Sequence, residues 1–547
     1  MSTYLERGAA RRAEIDAAIP EEWRLPSIPS PSEQRDITGP YIWQFLTSRE
    51  KEITETEAEA IVQNTTSGTW TAVEVTRAFC HRAAIAHQLL NCLHAPLFTA
   101  ALASAAELDA HLAATGSPVG PLHGLPISLK DQFHVAGTDT SMGYVGWIGT
   151  FEGNADDPRT GVFESELTSA LRGLGAVIVA KTSVPPSLMA GETRNYIVGS
   201  TLSARNRLLS AGGSSGGEGA LLGARGSALG WGTDIGGSVR IPAAFNGLYG
   251  LKPSTGRMPY EGAANSMDGQ NSVLSVVGPL GNSVSALRLG FKAVLSTRPW
   301  ERDPLCLEIP WREDKAVLPS KLRFGVWKDD GVARVTPPVQ RALDVTVMKL
   351  QAAGHEVVRW APAPEFQEEI TALLAQVWAF DGGADIHRAL GLSGEPPIPP
   401  IEAAFGTSAR PAMDAGQVAA VNVRIRKVRK GYLYWWQSRG VDAIIAPVAP
   451  VPAAREGMYA DYGYTMWVNL LDYASVVVPV SKVDKGFDGV VEGYEPRNEQ
   501  DRICWESYDP EIFDGAPIAL QLVGQRLQEE KMLAIADVVV EVLKGYE

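Results

Sequence analysis

Residues 210–250 limit the possible folds of this chain more than any other stretch. Glycine is dense there, and between Ser210 and Ser238 the only charged residues are Glu218, Arg225 and Asp234. A helix can start near residues 218–222, but the rest is not expected to be regular throughout. Two serine-glycine clusters lie inside it, Gly-Gly-Ser-Ser-Gly-Gly-Glu-Gly at 212–219 and Thr-Asp-Ile-Gly-Gly-Ser-Val-Arg at 233–240. Glycines let the backbone turn tightly and let consecutive N–H groups point one way. Such an array can hold a developing oxyanion, which any acyl-transfer enzyme needs. One cluster alone reads as an ordinary glycine-rich turn; two in one apolar, charge-poor stretch argue for chemistry.

A nucleophilic serine needs a base, and no histidine is near. The chain has eight, and the nearest upstream is His134. Lys130 is the better candidate, because it ends the apolar run Leu-Pro-Ile-Ser-Leu at 125–129. Burial disfavours the ammonium form, so a lysine at a strand end facing a dry site can be neutral. Taken alone, such a lysine is usually a solvated surface charge.

Around these clusters the pattern alternates between strand and helix. Residues 125–129 and 176–180 read as buried strands, and residues 54–115 as helical. Further strands are expected at 322–327, 356–360, 441–451, 474–480 and 518–523. Helices are expected at 336–353 and 529–543. Residues 361–401 read as a surface excursion over the site. The alternation predicts one large α/β domain around a mixed sheet. Residues 1–50 are expected to form an N-terminal helical extension and 51–547 the catalytic domain, with a variable helical and loop insertion at about 300–420.

Composition removes several function classes. The formal net charge is −14, which repels nucleic acid and anionic membranes. Cys80, Cys92, Cys306 and Cys504 lack the paired spacing of a zinc site or a disulfide scaffold. No metal and no organic cofactor is expected. The N-terminus has no apolar core of a signal peptide, and no apolar run reaches the length of a membrane span. The chain reads as cytoplasmic.

With these features in place, the sequence resembles the amidase signature family. It is most similar to the fungal acetamidase and general amidase branch, and more distantly to fatty acid amide hydrolase. The resemblance rests on residues 124–131, 211–220, 232–242 and 250–253, supported by 191–195 and 515–524. It spans roughly residues 60–300 and 420–545. Ser214 and Ser238 are 24 positions apart, the separation expected of that family's two serines.

The resemblance implies a single amidase-signature domain with helices on both faces of the sheet. It also implies a mechanism. Ser238 is the nucleophile, Ser214 bridges it to Lys130 after a cis peptide bond at Gly213–Ser214, and Lys130 is a neutral base. The N–H groups of Ile235, Gly236, Gly237 and Ser238 form the oxyanion hole. The expected substrate is a small carboxylic acid amide, hydrolysed through an acyl-enzyme. The same acyl-enzyme chemistry on a carbamate or ester, or acyl transfer or cyclisation, is the alternative. Family members are often dimers, which makes a homodimer an expectation.

Neighbouring residues are assigned plainer roles. Asp234 and Arg240 read as a structural pair and Ser215 as a hydrogen-bonding support. Lys181 reads as structural, and Met189 as a wall of the acyl pocket. Trp378, Trp467 and Tyr473 are candidates for an apolar pocket, with ordinary core as the simpler reading. Two rival patterns fail on their own requirements. A Gly-x-Ser-x-Gly reading with Ser214 as nucleophile needs a preceding strand and a downstream acid and histidine. A phosphate-binding loop needs Gly-Lys-Ser/Thr, whereas Gly217 is followed by Glu218.

Overall fold

The apolar run before Lys130 is a strand, one of eleven in a single mixed sheet. A computed structural model describes residues 3–362 and 364–544. The strands are β1 (Leu93–Pro96), β2 (Pro126–Lys130), β3 (Val177–Thr182), β4 (Leu229–Asp234), β5 (Tyr249–Lys252), β6 (Val276–Gly281), β7 (Arg323–Val326), β8 (Glu356–Arg359), β9 (Ala443–Pro447), β10 (Ala474–Lys482) and β11 (Pro517–Gly524). Across the sheet their order is β1-β3-β2-β4-β6-β5-β10-β11-β9-β7-β8. Strands β3, β2 and β4 run parallel, as do β9, β7 and β8. The remaining neighbours are antiparallel.

The helices that matter for the site are α1 (Ala72–Leu90), α2 (Gly216–Gly223), α3 (Arg240–Phe245), α4 (Val284–Ser296), α5 (Pro364–Val377), α6 (Ala384–Gly391), α7 (Gly463–Leu470) and α8 (Glu529–Leu543). Side chains alternate across a strand, and β2 shows the consequence. Ile127 and Leu129 enter the large core that Leu287 and Phe291 of α4 and Leu533 of α8 complete. Ser128 and Lys130 face the other way, and Ser128 donates a hydrogen bond to Glu218 of α2. On that second face Val177 and Val179 of β3 pack with Ala83 and Ala84 of α1 and Ala220 of α2. Helices therefore cover both faces of one α/β domain.

Strand β4 corrects the expectation for the glycine-dense stretch. Leu-Gly-Trp-Gly-Thr-Asp is a regular strand despite its two glycines. A Cβ on Gly230 would lie 1.9 Å from Glu218 Oε2, and one on Gly232 would lie 2.6 Å from Ser215 Oγ. Those glycines are present because α2 and the loop before it rest directly on the bare strand. Within 54–115, read as helical, Leu93–Pro96 is a strand because it pairs with β3.

Region 300–420 holds more than helices and loops, since β7 and β8 form one edge of the main sheet. The expected excursion at 361–401 is largely helical, through α5, α6 and the start of Pro399–Phe405. A long helix, Ala415–Arg439, follows it and was not expected. Residues 1–50 contain the helices Tyr4–Ala17 and Pro40–Trp43, and Ile37 and Ile42 pack into the same core as α1. Among the described residues no helix is long and apolar enough to cross a membrane.

Candidate active site

Lys130 ends β2 and Thr233 lies at the end of the parallel neighbour β4, so both reach the carboxyl edge of the sheet, where α/β folds place ligands. The Lys130 side chain is fully buried. Its Nζ lies 2.8 Å from Ser214 Oγ and 2.7 Å from Thr233 Oγ1. Burial pushes its amine down to about 7, with Asp234 and Glu218 pulling in the opposite direction. Glu218 is buried too, and burial pushes its carboxyl up to about 8. It bonds Ser128 at 2.6 Å and Thr182 at 2.8 Å, which ties α2 to β2 and β3 beneath the lysine.

Ser214 follows a cis peptide bond from Gly213, in a loop that runs directly into α2. The next residue ties the two glycine clusters together, because Ser215 N–H donates to the Ser238 carbonyl at 3.2 Å. Ser214 and Ser238 line one cavity together with Thr233 and Gln132. Exposure rises from Lys130 at 0 % through Ser214 at 1 % to Ser238 at 8 %, so the three hydroxyl and amine groups run from core to cavity. Among the described residues the Ser238 hydroxyl forms no hydrogen bond with Ser214; the link formed here is the one between Ser214 and Lys130.

Around Ser238 the backbone turns back on itself, with Gly237 at φ 132°, a conformation that L side chains rarely adopt. The Gly237 N–H donates to Asp234 Oδ1 at 2.9 Å. Of the four expected oxyanion donors, the Gly237 amide is the one engaged in holding the turn. The N–H groups of Ile235, Gly236 and Ser238 have no intramolecular partner among the described residues. Thr465 of α7 anchors the same turn by donating to the Gly236 carbonyl at 2.5 Å.

Asp234 and Arg240 form the expected structural pair, both fully buried and 3.0 Å apart. Asp234 also accepts from Val239 N–H at 3.1 Å and Asn469 Nδ2 at 2.8 Å. Burial alone would raise this carboxyl, but Arg240 beside it holds it well below the usual carboxylate range. Asp234→Ala is expected to destabilise the protein by about 3–5 kcal/mol, because it leaves the Arg240 guanidinium buried and unpaired. Denaturant unfolding checks this; a change below about 1 kcal/mol would remove Asp234 as the anchor of the turn.

Other expected residues divide clearly. Lys181 pairs with Asp131 at 2.9 Å and bonds Thr140 at 2.7 Å, so it is structural. Met189 lines the cavity on both sides of Ser238, as does Trp378. Trp467 and Tyr473 pack with each other and with Tyr432 in a separate core and line neither side. One side of the cavity is apolar, with Ala190, Ala404, Phe405 and Tyr462, and includes Gly236. The other holds Ser214, Gln132, Tyr260, Asn265 and Asp268 among apolar side chains such as Met258, Leu274 and Ile386. Among the described residues no group of three or more His, Cys, Asp or Glu is placed to hold a metal ion.

The reading from residues missed Thr233, Gln132 and Tyr260. Thr233 and Gln132 sit one and two positions from residues already singled out, Asp234 and Lys130. Nothing in their spacing says that they meet. Tyr260 arrives from beyond β5 and carries no local signal.

Three comparisons bear on this arrangement. The amidase family model matches residues 74–533. An acetamidase of Emericella nidulans is 44 % identical over 99 % of this chain and 98 % of its own length. An acetamidase of Aspergillus oryzae is 42 % identical over 99 % of both chains. Among solved structures, a fatty acid amide hydrolase superposes with a TM-score of 0.91 at 32 % identity, covering 99 % of this chain and 95 % of that one.

Proposed function

Because the chain belongs to the amidase signature family and is an amide hydrolase, we propose that it cleaves its amide through an acyl-enzyme on Ser238, with Ser214 and Lys130 as the proton relay. The observation that carries this reading is the buried Lys130 amine 2.8 Å from a serine on the wall of the nucleophile's own cavity. A neutral Lys130 accepts the Ser214 proton while Ser214 accepts that of Ser238, so the Ser238 oxygen attacks the amide carbon as an alkoxide in formation. The carbonyl oxygen becomes an oxyanion, which the N–H groups of Ile235, Gly236 and Ser238 stabilise.

Collapse of the tetrahedral species breaks the C–N bond. The amine leaves poorly as an anion, and the proton held on Lys130 returns to it through Ser214. Water then attacks the ester of Ser238 by the same relay and releases the acid. Ser214 lines one side of the cavity and Gly236 the other. The leaving amine is therefore directed to the Ser214 side, and the acyl group to the side walled by Ala404, Phe405 and Tyr462.

Acetamide is the first substrate to test, on the strength of the two relatives. Longer acyl and aryl amides follow, with carbamates included. Quenched reactions, digested and examined by peptide mass, are expected to show the acyl group on the peptide that carries Ser238. Turnover of amides with an adduct elsewhere, or with none under burst conditions with an activated ester, would contradict the reading.

The pH dependence follows from the lysine. Activity requires the unprotonated amine, whose value is about 7. The acid limb of kcat/KM is expected near pH 7, rising into the mildly alkaline range with unit slope. A flat profile between about pH 6 and 9, with chemistry limiting, would exclude a lysine base of this kind.

A further inference from the structure

The Lys130 amine touches two hydroxyls, and the relay works through only one of them. Thr233 Oγ1 is 2.7 Å from Nζ, slightly nearer than Ser214 Oγ at 2.8 Å. A neutral amine has two N–H donors and one lone pair. If Thr233 donated its proton to that lone pair, Lys130 would have no site left to accept the proton of Ser214. Which hydroxyl faces the lone pair therefore decides whether the relay is open.

The hydrogen bonds around Thr233 decide it. A hydroxyl carries a single proton. That of Thr233 is given to Gln132 Oε1 at 2.6 Å. A carbonyl oxygen can only accept, so toward Lys130 the threonine can only accept as well. The Gln132 amide is itself held in this orientation. Its Nε2 donates to Tyr260 Oη at 2.7 Å, and Tyr260 passes its own proton toward Asn265 Oδ1 at 3.4 Å. The glutamine backbone is fixed as well, with its N–H on the Lys130 carbonyl at 2.7 Å and its own carbonyl accepting from Ala264 at 3.0 Å. Gln132 is fully buried, at the wall of the cavity.

We infer that Gln132 is a positioning residue of the relay: by holding the Thr233 proton it makes Thr233 accept an N–H of Lys130 and leaves the lysine lone pair to Ser214. The inference rests on the acyl-enzyme reading above. The asymmetry is needed because both neighbours of the amine are hydroxyls, and nothing in their distances separates donor from acceptor. The charged and titratable groups that face Lys130 are Asp234 from the end of β4 and Glu218 from α2. Tyr260 lies farther along the chain of bonds, and burial pushes its phenol up to about 12, so it keeps its proton throughout the working range.

The test is the pH profile of kcat/KM on an amide and a matched ester, for wild type, Gln132→Leu and Gln132→Glu. In Gln132→Leu the freed Thr233 hydroxyl can turn and donate to the lysine lone pair. Amide turnover on the plateau is expected to fall by about 10- to 100-fold, and ester turnover by less. At the same time the acid limb is expected to move to lower pH by about half a unit or more, because the new bond favours the neutral amine.

Gln132→Glu keeps an acceptor for Thr233 and adds negative charge near the lysine. Its limb is expected to move the other way, to higher pH, with a smaller loss on the plateau than in Gln132→Leu. Formation of the Ser238 adduct from an activated ester reports that each variant is folded. Equal losses on amide and ester with no opposed movement of the limbs would overturn the inference and leave Gln132 as packing. If Gln132→Leu does not fold, Gln132→Ala takes its place with the same expected loss and the same movement of the limb to lower pH. A wild-type protein that forms no adduct on Ser238 would overturn the relay itself; an adduct with unmoved limbs overturns only the role of Gln132.

Discussion

Ser238→Ala is expected to lower kcat on amides by about a millionfold, the scale on which loss of a serine nucleophile removes the covalent path. The expectation follows from position as well as residue type. Ser238 is the member of the set that borders both sides of the cavity, between the wall with Ser214 and the wall with Phe405. The substitution leaves the backbone N–H groups of Ile235 and Gly236 where they are, so substrate affinity is expected to change by only a few fold. Residual turnover then comes from oxyanion stabilisation and binding alone. The measurement is burst kinetics with an activated ester, together with the mass of the protein. A variant within about tenfold of wild type would show that another group carries the acyl chain.

Lys130→Ala is expected to lower amide turnover by about a thousandfold or more, and ester turnover by distinctly less. An alkoxide leaves without a proton far more readily than an amide nitrogen does, so the acid half of the lysine's work matters chiefly for amides. The base half, activation of Ser238, is lost for both. Lys130→Met serves as the packing control, because it keeps an unbranched chain in a fully buried site while removing the amine. Equal losses on amide and ester in both variants would contradict the proton-return step. Loss of the acid limb near pH 7 in either variant would assign that limb to Lys130 directly.

Much of this site could be read without coordinates, and the reason is local. Lys130, Ser214 and Ser238 each stand in short motifs whose glycines and apolar flanks are unusual together. The plainer assignment for Asp234 and Arg240 followed from their opposite charges beside Ser238, and that for Lys181 from the family resemblance. The expectations went astray where a residue's surroundings come from far along the chain. Strand β4 was hidden by Gly230 and Gly232, whose missing side chains are explained only by Glu218 and Ser215 resting on them. The bond from the Gly237 amide to Asp234 was likewise not legible, because it depends on how the turn folds back. Trp467 and Trp378 look alike as isolated aromatics, and packing alone buries one in a core and leaves the other at that core's edge on the cavity.

The amino-acid order by itself determined the α/β class, the family and the three residues proposed here as the proton relay, because periodicity gives the first and short motifs give the other two. Only the tertiary structure supplies the contacts from which the direction of the protons is inferred. The polarity of a hydrogen-bonded chain depends on which partner holds each proton, and Lys130, Thr233, Gln132, Tyr260 and Asn265 come from separate segments that meet only once the sheet has formed.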